Sequence, residues 1–264
     1  MTNLSVEQIE QVAGTLRRAG GSGVACAPFQ PDLPGATLED AYAVQEVNTL
    51  ASLASGRRLA GRKIGLTSRS VQHQMGVHQP DFGMLFADMA FCDGEAIPAD
   101  RLMQPRIEGE IAFVLGKPLD RESLTLTDVI GAIDYALPAI EIVDSRIADW
   151  KIGIFDTIAD NASSGLYVLG TRPARLSDFD PTLCGMVIEN RGEPVSTGAG
   201  IACLGNPLNA TLWLARKMAK VGRPLREGDT VLSGALGPMV PARPGEIYEA
   251  RINGLGSVRA IMDA

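Results

Sequence analysis

The sequence predicts an α+β fold in which a small helical N-terminal part precedes a β-rich body. Apolar residues recur at helical spacing in the first sixty residues, whereas short apolar runs separated by Gly, Pro and Asp follow from residue 63 onwards. The 264 residues include 29 Gly and 16 Pro, which is typical of a fold with many turns. We therefore expect a helical cap region over residues 1–70 and a β-rich body over residues 71–264, together forming one compact unit.

Two helices are predicted in the N-terminal part. Ser5 and Gln8 have the spacing of a capping box, and Gly20-Gly21 is expected to end the helix that follows. Thr37 and Asp40 form a similar signature, which begins a second helix up to Gly56. The predicted apolar faces are Ile9, Val12 and Leu16 on the first helix and Ala41, Val44, Val47 and Leu50 on the second.

The body is predicted to consist mainly of short strands. Two helical segments interrupt them, one near residues 126–136 and one that opens at Asn206-Pro207, where a cap residue precedes proline. No internal repeat or low-complexity linker divides the chain. The predicted strands are KIGLT (63–67), IAFVL (111–115), IEIV (140–143), GLYVLG (165–170), CGMVIE (184–189), TVLSG (230–234) and IYEARI (247–252).

Charge and composition exclude several classes of partner. The net charge is −7 and no dense Lys/Arg cluster is present, so neither nucleic acid nor an anionic membrane is expected to bind. The longest apolar stretch, residues 129–143, contains Asp134, Pro138 and Glu141, so it does not predict a membrane span. The four cysteines form no C-x-x-C motif and are expected to be free thiols in a reducing compartment, with the cytoplasm as the default.

Common catalytic motifs are absent from the sequence. There is no G-x-x-x-x-G-K-[ST] loop and no G-x-S-x-G elbow. The only histidines, His73 and His78, are five residues apart and would not share a helix face. A histidine-based zinc site or a Ser-His-Asp triad is therefore poorly supported.

Carboxylates offer the strongest indication of chemistry. In RIEGEIAFVL (106–115), Glu108 and Glu110 would point to the same face of a strand, and Glu141 lies in another apolar strand. Three converging carboxylates would repel one another unless a cation lay between them, and oxygen ligands suit Mg²⁺ or Mn²⁺. The simpler interpretation, a solvated E-x-E face, remains open on spacing alone.

Two further residues are candidates for proton transfer. Lys63 lies in an apolar run, and a cation beside it, together with burial, would lower its pKa towards neutrality. Asp81 follows a proline in HQPDFG. An ordinary surface lysine and a turn-forming aspartate are the alternatives for these two positions.

With these residues identified, the chain resembles the 2-keto-4-pentenoate hydratases, in the hydratase/decarboxylase branch of the fumarylacetoacetase superfamily. The resemblance extends over nearly the whole chain as a series of collinear blocks, and is therefore more specific than any single motif. The blocks are DAYAVQ (40–45), GRKIGLTS (61–68), GVHQPDFGMLFADM (76–89), QPRIEGEIAFVL (104–115), PAIEIVDSRIADWK (138–151), DTIADNASSG (156–165), LGNPLNATLWLARKMA (204–219), SGALGPMV (233–240) and GLGSVRA (254–260).

The resemblance implies both a fold and a site. It implies a mixed β-roll or sandwich like the C-terminal part of fumarylacetoacetase, a small anionic 2-oxo acid as substrate and a homo-oligomer, with a decamer known among related enzymes. It also implies possible association with a related decarboxylase. By motif it assigns a divalent metal, Mg²⁺ or Mn²⁺, to Glu108, Glu110 and Glu141, catalysis to Lys63 and Asp81, and substrate contacts to Leu66, Ser163 and Ser164, although a capped turn would also explain the serines.

The activity implied by the resemblance is metal-dependent hydration of 2-hydroxypenta-2,4-dienoate to 4-hydroxy-2-oxopentanoate, a hydro-lyase step in the degradation of aromatic compounds. The alternatives are 4-oxalocrotonate decarboxylase and a hydratase for longer 2-oxo-dienoates or dioates. The decarboxylase type resembles TPIYG where this chain has HQPDFG, so Asp81 favours hydration. A purely scaffolding subunit is the non-enzymatic alternative, but all five candidate metal and catalytic residues are present.

Overall fold

The computed structural model describes residues 2–29, 32–74 and 76–264, and within these residues six helices and thirteen strands are found. The helices are α1 (Val6–Ser22), α2 (Leu38–Ala54), α3 (Arg69–Gln74), α4 (Leu126–Ala132), α5 (Ile154–Ala159) and α6 (Pro207–Lys220). The strands are β1 (Leu59–Gly65), β2 (Asp81–Phe86), β3 (Ala90–Cys92), β4 (Ala96–Ile97), β5 (Arg106–Leu115), β6 (Ile133–Val143), β7 (Ser164–Leu169), β8 (Gly185–Asn190), β9 (Glu193–Ala199), β10 (Thr230–Leu232), β11 (Val240–Pro241), β12 (Ile247–Ile252) and β13 (Gly256–Met262).

The strands form two mixed sheets. The main sheet has the order β2-β1-β10-β5-β6-β7-β3, with β11 added beside β5, and the second sheet has the order β4-β13-β12-β8-β9. Both sheets combine parallel and antiparallel pairs; β1 runs parallel to β10, for example, and antiparallel to β2. β12 and β13 pack against β6, so the body is a sandwich. This confirms the predicted α+β class with a β-rich, mixed sandwich.

The two faces of β5 have different environments. Ile107 and Ile111 are fully buried, and Gly109 between them contacts Met186 of the second sheet. Glu108 and Glu110 alternate with these residues and therefore point to the opposite face of the main sheet. The functional candidates thus lie on the face that the second sheet leaves free.

Both N-terminal capping boxes are present, at Ser5 and Thr37. The prediction that Gly20-Gly21 ends α1 was wrong, because the helix continues to Ser22 and ends at Gly23, whose φ is +68°. Leu50 was also misplaced, since it is 52% exposed. At about 100° per residue, its nine-residue separation from Ala41 turns it to the opposite side of α2.

The predicted helix near residues 126–136 is shorter than expected. α4 ends at Ala132, and residues 133–136 already belong to β6, which is hydrogen-bonded between β5 and β7. Pairing with β5 accounts for the extended structure of residues 133–136, and β7 joins the other side of β6 from Ala139 onwards. Pro138 is accommodated within this strand.

The boundary at residue 70 between a helical cap region and a β-rich body stays a prediction. β1 lies within residues 1–70 and pairs with β2 and β10 of the main sheet. Among the described residues, no helix has the length and apolar character needed to cross a membrane.

Candidate metal and catalytic site

Three glutamates converge on the free face of the main sheet. β5 and β6 are antiparallel, and their register places Glu108 directly opposite Glu141. Glu110 follows two residues later on the same face of β5. One carboxylate oxygen from each of the three side chains lies within 4.8 Å of the others. Strand pairing therefore produces the cluster that the sequence spacing suggested.

The cluster has the properties of a divalent-metal site. Glu110 and Glu141 are buried, while Glu108 is partly exposed. Oε2 of Glu110 accepts a hydrogen bond from the Gly234 amide at 2.8 Å, but its Oε1 has no hydrogen-bond partner among the described residues. A buried carboxylate oxygen without a partner is costly, and a hard cation would satisfy it. The donor set therefore fits Mg²⁺ or Mn²⁺.

The proximity of the carboxylates shifts their protonation. Burial, followed by the charge of Glu141, raises the pKa of Glu108 to about 7. Burial, followed by the charges of Glu141 and Glu108, raises the pKa of Glu110 well above its ordinary range. Without a cation, the folded protein therefore retains protons here that the unfolded chain releases.

Metal-free protein should consequently become less stable as the pH rises from about 5 to 8. Both glutamates have a raised folded-state pKa, so their contribution to the free energy of unfolding is greatest below their ordinary pKa and is lost as the pH rises through the folded-state values. Thermal unfolding in a chelator, measured across this range, should show a falling midpoint. Added Mg²⁺ should raise the midpoint most at pH 8, and a midpoint independent of pH and Mg²⁺ would contradict the site.

Lys63 reaches the glutamates from β1. Its Nζ lies 3.1 Å from Oε1 of Glu141, and both side chains are almost completely buried. Burial favours the neutral amine, but the charges of Glu141 and Asp81, with smaller contributions from Glu108 and Glu110, outweigh it and raise the pKa of Lys63. These carboxylates favour the ammonium form of Lys63 in the metal-free protein. The expected lowering of this pKa requires a cation beside the amine and stays a prediction.

Asp81 lies beside Lys63 at the start of β2. The β1–β2 register pairs Gly65 with Asp81, and a Cβ at Gly65 would lie 2.1 Å from Oδ1 of Asp81 and 3.5 Å from Nζ of Lys63. Burial raises the pKa of Asp81 to about 6, although the nearby Lys63 opposes this shift. Neither carboxylate oxygen makes a well-directed hydrogen bond to a described residue, so the group remains available to water or a substrate.

Replacing Gly65 with alanine should displace the Asp81 carboxylate, because the new methyl group would occupy its position. We expect kcat to fall about 10- to 100-fold, which is the size of effect that a displacement of about 1 Å produces. The Mg²⁺ dissociation constant should change little, since no glutamate contacts Gly65. Gly131→Ala is the control, because a Cβ there meets nothing within 4 Å. Equal kcat for both variants would contradict the placement of Asp81.

The three candidate substrate contacts, Leu66, Ser163 and Ser164, lie close to the strands of Lys63 and Asp81 in sequence or in space. Leu66 follows β1 with φ +55°, and its carbonyl accepts a hydrogen bond from Nε2 of Gln72 at 2.7 Å. The Ser163 hydroxyl donates weakly to Oδ2 of Asp160 at 3.4 Å. The Ser164 hydroxyl is buried without a hydrogen-bond partner among the described residues, and it lies against Gly83, which pairs with Lys63.

Larger open cavities lie away from the glutamates. One of about 470 Å³ is lined by α1, α2 and the segment around Ser164, and another of about 540 Å³ lies beside Trp150 and Arg106. Neither is lined by Lys63, Asp81 or the glutamates. Within the described part of the chain, buried carboxylates without hydrogen-bond partners meet a buried amine only at the glutamates, so this cluster is the candidate for the chemistry.

Sequence reasoning missed residues that shape the site without performing chemistry. Gly65 leaves space for the carboxylate of Asp81, and Gly83 leaves space for the backbone carbonyl of Asn161. The backbone amide of Gly234 donates a hydrogen bond to Glu110. Glycine inside a strand is the available signal for such close approaches. Asn161 has no comparable signal, because its partner lies 77 residues away.

Residues 57–262 match the family model for the C-terminal region of fumarylacetoacetate (FAA) hydrolase. The chain belongs to this family. The TodF product hydratase of Pseudomonas putida is 62% identical over 96% of this chain and 94% of its own length. The 2-keto-4-pentenoate hydratase of Paraburkholderia xenovorans is 55% identical over 97% and 95%.

Two solved structures show the same fold. The 4-oxalocrotonate decarboxylase of Pseudomonas putida G7, complexed with magnesium and adipate, has a TM-score of 0.95 and 36% identity, covering 99% of this chain and 100% of that one. A fumarylpyruvate hydrolase from Pseudomonas aeruginosa, in complex with Mn²⁺ and pyruvate, has a TM-score of 0.63 over 78% of this chain and 90% of that one. At 16% identity the second supports the fold alone.

Proposed function

We propose that this protein is a hydro-lyase that hydrates 2-hydroxypenta-2,4-dienoate to 4-hydroxy-2-oxopentanoate with a divalent metal. The observation that carries the proposal is the buried cluster of Glu108, Glu110 and Glu141 with Lys63 against it and Asp81 beside Lys63. Hydratases at 55–62% identity over nearly the whole chain support this activity over decarboxylation, for which the relative is 36% identical. The reaction belongs to the degradation of aromatic compounds.

The metal is proposed to be Mg²⁺ or Mn²⁺, held by Glu108, Glu110 and Glu141. When bound, the ion would polarise the 2-oxo group and balance the negative charge of the substrate. Oxygen ligands suit both ions, and the 4-oxalocrotonate decarboxylase structure at 36% identity is complexed with magnesium.

The residues around the cluster suit the proton transfers of hydration. The 2-hydroxyl group of the dienol must lose its proton while C5 gains one. Water must then add at C4 with loss of a proton, and C3 must gain a proton. Asp81, with a pKa of about 6, is ionised at neutral pH and is proposed to orient or deprotonate the adding water. Lys63 is held as an ammonium group, which can hydrogen-bond the anionic substrate and deliver a proton to carbon.

Leu66, Ser163 and Ser164 are proposed to contact the substrate, a small 2-oxo acid. The unpartnered hydroxyl of Ser164 is the best placed of the three to bind a carboxylate. The same proposal includes a homo-oligomer, which would be a decamer by analogy with related enzymes, and association with a related decarboxylase. Four free cysteines agree with a reducing compartment, and the cytoplasm stays the predicted location.

The test is turnover of 2-hydroxypenta-2,4-dienoate by metal-stripped protein, with Mg²⁺ or Mn²⁺ then added back and the product identified by NMR. Metal-dependent formation of 4-hydroxy-2-oxopentanoate would support the proposal. The fold similarity to the decarboxylase, with its TM-score of 0.95, makes decarboxylation the second candidate. Release of CO₂ from 2-oxohex-3-enedioate without hydration would select that alternative, and inactivity on both substrates would reject both.

A further inference from the structure

We propose that Asn161 is a positioning residue that fastens β2, and with it Asp81, to the turn that leads into β7. This inference rests on the proposed function, because it concerns how the hydration acid is held. Both side-chain hydrogen bonds of Asn161 among the described residues go to Met84 of β2, so its effect on the reaction would pass through β2.

The first observation is a two-point hydrogen bond at the end of the main sheet. β2 pairs with β1 on one side only, so the other edge needs partners for its backbone groups. The Met84 amide donates to Oδ1 of Asn161 at 2.7 Å, and Nδ2 of Asn161 donates to the Met84 carbonyl at 3.0 Å. The carboxamide thus takes the place of a neighbouring strand. Two residues earlier on the same edge, the Phe82 carbonyl accepts a hydrogen bond from Nε2 of Gln45 at 2.8 Å.

The second observation is the strained conformation of the turn. Asn161, Ala162 and Ser163 have φ values of +57°, +51° and +51°, a left-handed conformation that non-glycine residues rarely adopt in succession. The turn is fixed to the end of β6 by hydrogen bonds from the Asp144 amide to the Ser163 carbonyl, at 2.8 Å, and from Arg146 to the Ser164 carbonyl, at 2.7 Å. Such strain persists only where the surrounding structure imposes it, and it is common at functional sites.

The third observation is the close approach between this turn and β2. A Cβ on Gly83 would lie 2.3 Å from the Asn161 carbonyl oxygen and 2.6 Å from the Ser164 hydroxyl oxygen. Gly83 stands opposite Lys63 in the β1–β2 register and two residues after Asp81. The turn, which is fixed to the strand of Glu141, therefore bears directly on the strand of Asp81. Asn161 supplies the directional bonds that set the distance between the acid and the metal ligands.

The test uses Asn161→Gly and Asn161→Asp in the full-length protein. Glycine accepts the left-handed conformation without strain but removes both hydrogen bonds, whereas aspartate keeps the acceptor for Met84 and loses the donor. For Asn161→Gly we expect kcat to fall about 10- to 100-fold, with the Mg²⁺ dissociation constant within about threefold of the unaltered protein. Hydrogen–deuterium exchange should become faster over residues 81–86 and remain unchanged over residues 106–115.

Asn190→Ala is the matched control, because this half-buried asparagine of the second sheet also loses a side-chain hydrogen bond, to Glu246. It should leave kcat and exchange over β2 unchanged. Asn161→Gly with unaltered kcat and unaltered exchange over β2 would overturn the inference. If Asn161→Gly does not fold, unaltered kcat and unaltered exchange over β2 in Asn161→Asp would overturn the inference instead. The exchange measurement needs no turnover, so an inactive unaltered protein would reject the proposed function without deciding the role of Asn161.

Discussion

Replacing Glu110 with glutamine should stabilise the metal-free protein and abolish its metal-dependent activity. Glu110 is fully buried, and burial together with the charges of Glu141 and Glu108 raises its pKa well above the ordinary range. Glutamine removes the buried charge but keeps an oxygen that can accept the hydrogen bond from the Gly234 amide. The same change removes a ligand oxygen, so the ion should bind at least about 100-fold more weakly and turnover should fall below about 1%.

The two effects have opposite signs, which makes the experiment specific. Thermal unfolding at pH 8 in chelator should show a midpoint raised by a few degrees, since about 1 kcal/mol corresponds to roughly 2–4 °C in a domain of this size. Calorimetric titration with Mg²⁺ measures the loss of affinity. The exposed Glu193→Gln is the control and should change neither quantity. If Glu110→Gln lowered metal-free stability and kept its Mg²⁺ affinity, the three-glutamate site would be wrong.

The two N-terminal helices and the class of fold could be predicted from local chemistry, whereas α3 and α5 were not predicted. Ser5 and Thr37 begin α1 and α2 because each has its capping partner three residues away, a relation that is contained in the sequence itself. The start of β6 at Ile133 could not be predicted in this way. Residues 133–138 pair with β5, and this pairing overrides the local preference of a segment that continues directly from α4.

The candidate site divides in the same way between local and distant relations. The spacing of Glu108 and Glu110 places both on one face, but only the register of β5 with β6 shows that Glu141 is their direct neighbour. The sequence also does not show that the amine of Lys63 is packed against the carboxylate of Glu141, because the two residues lie on strands that are distant in the chain. Asn161 has no local signal in the sequence, since its partner Met84 is 77 residues away.

Asp81→Asn should reduce hydration by about 10²- to 10⁴-fold, the usual range for loss of a group that transfers a proton. Asparagine has nearly the same shape, so the close packing over Gly65 is retained while the ionisable group is lost. The Mg²⁺ dissociation constant should remain within about threefold, because Asp81 lies on β2 and the metal ligands on β5 and β6. A lower kcat with an unchanged Mg²⁺ affinity would show that Asp81 acts in proton transfer and is not a metal ligand.

The pH profile gives a second, independent measurement of the same assignment. With a pKa of about 6, Asp81 is ionised above that pH, so kcat/KM of the unaltered protein should fall as the pH drops through about 6. The residual activity of Asp81→Asn should lack this acidic limb. Asp120→Asn, an exposed carboxylate away from the cluster, should keep both the limb and full turnover. Full turnover in Asp81→Asn would instead assign water activation to a group other than Asp81.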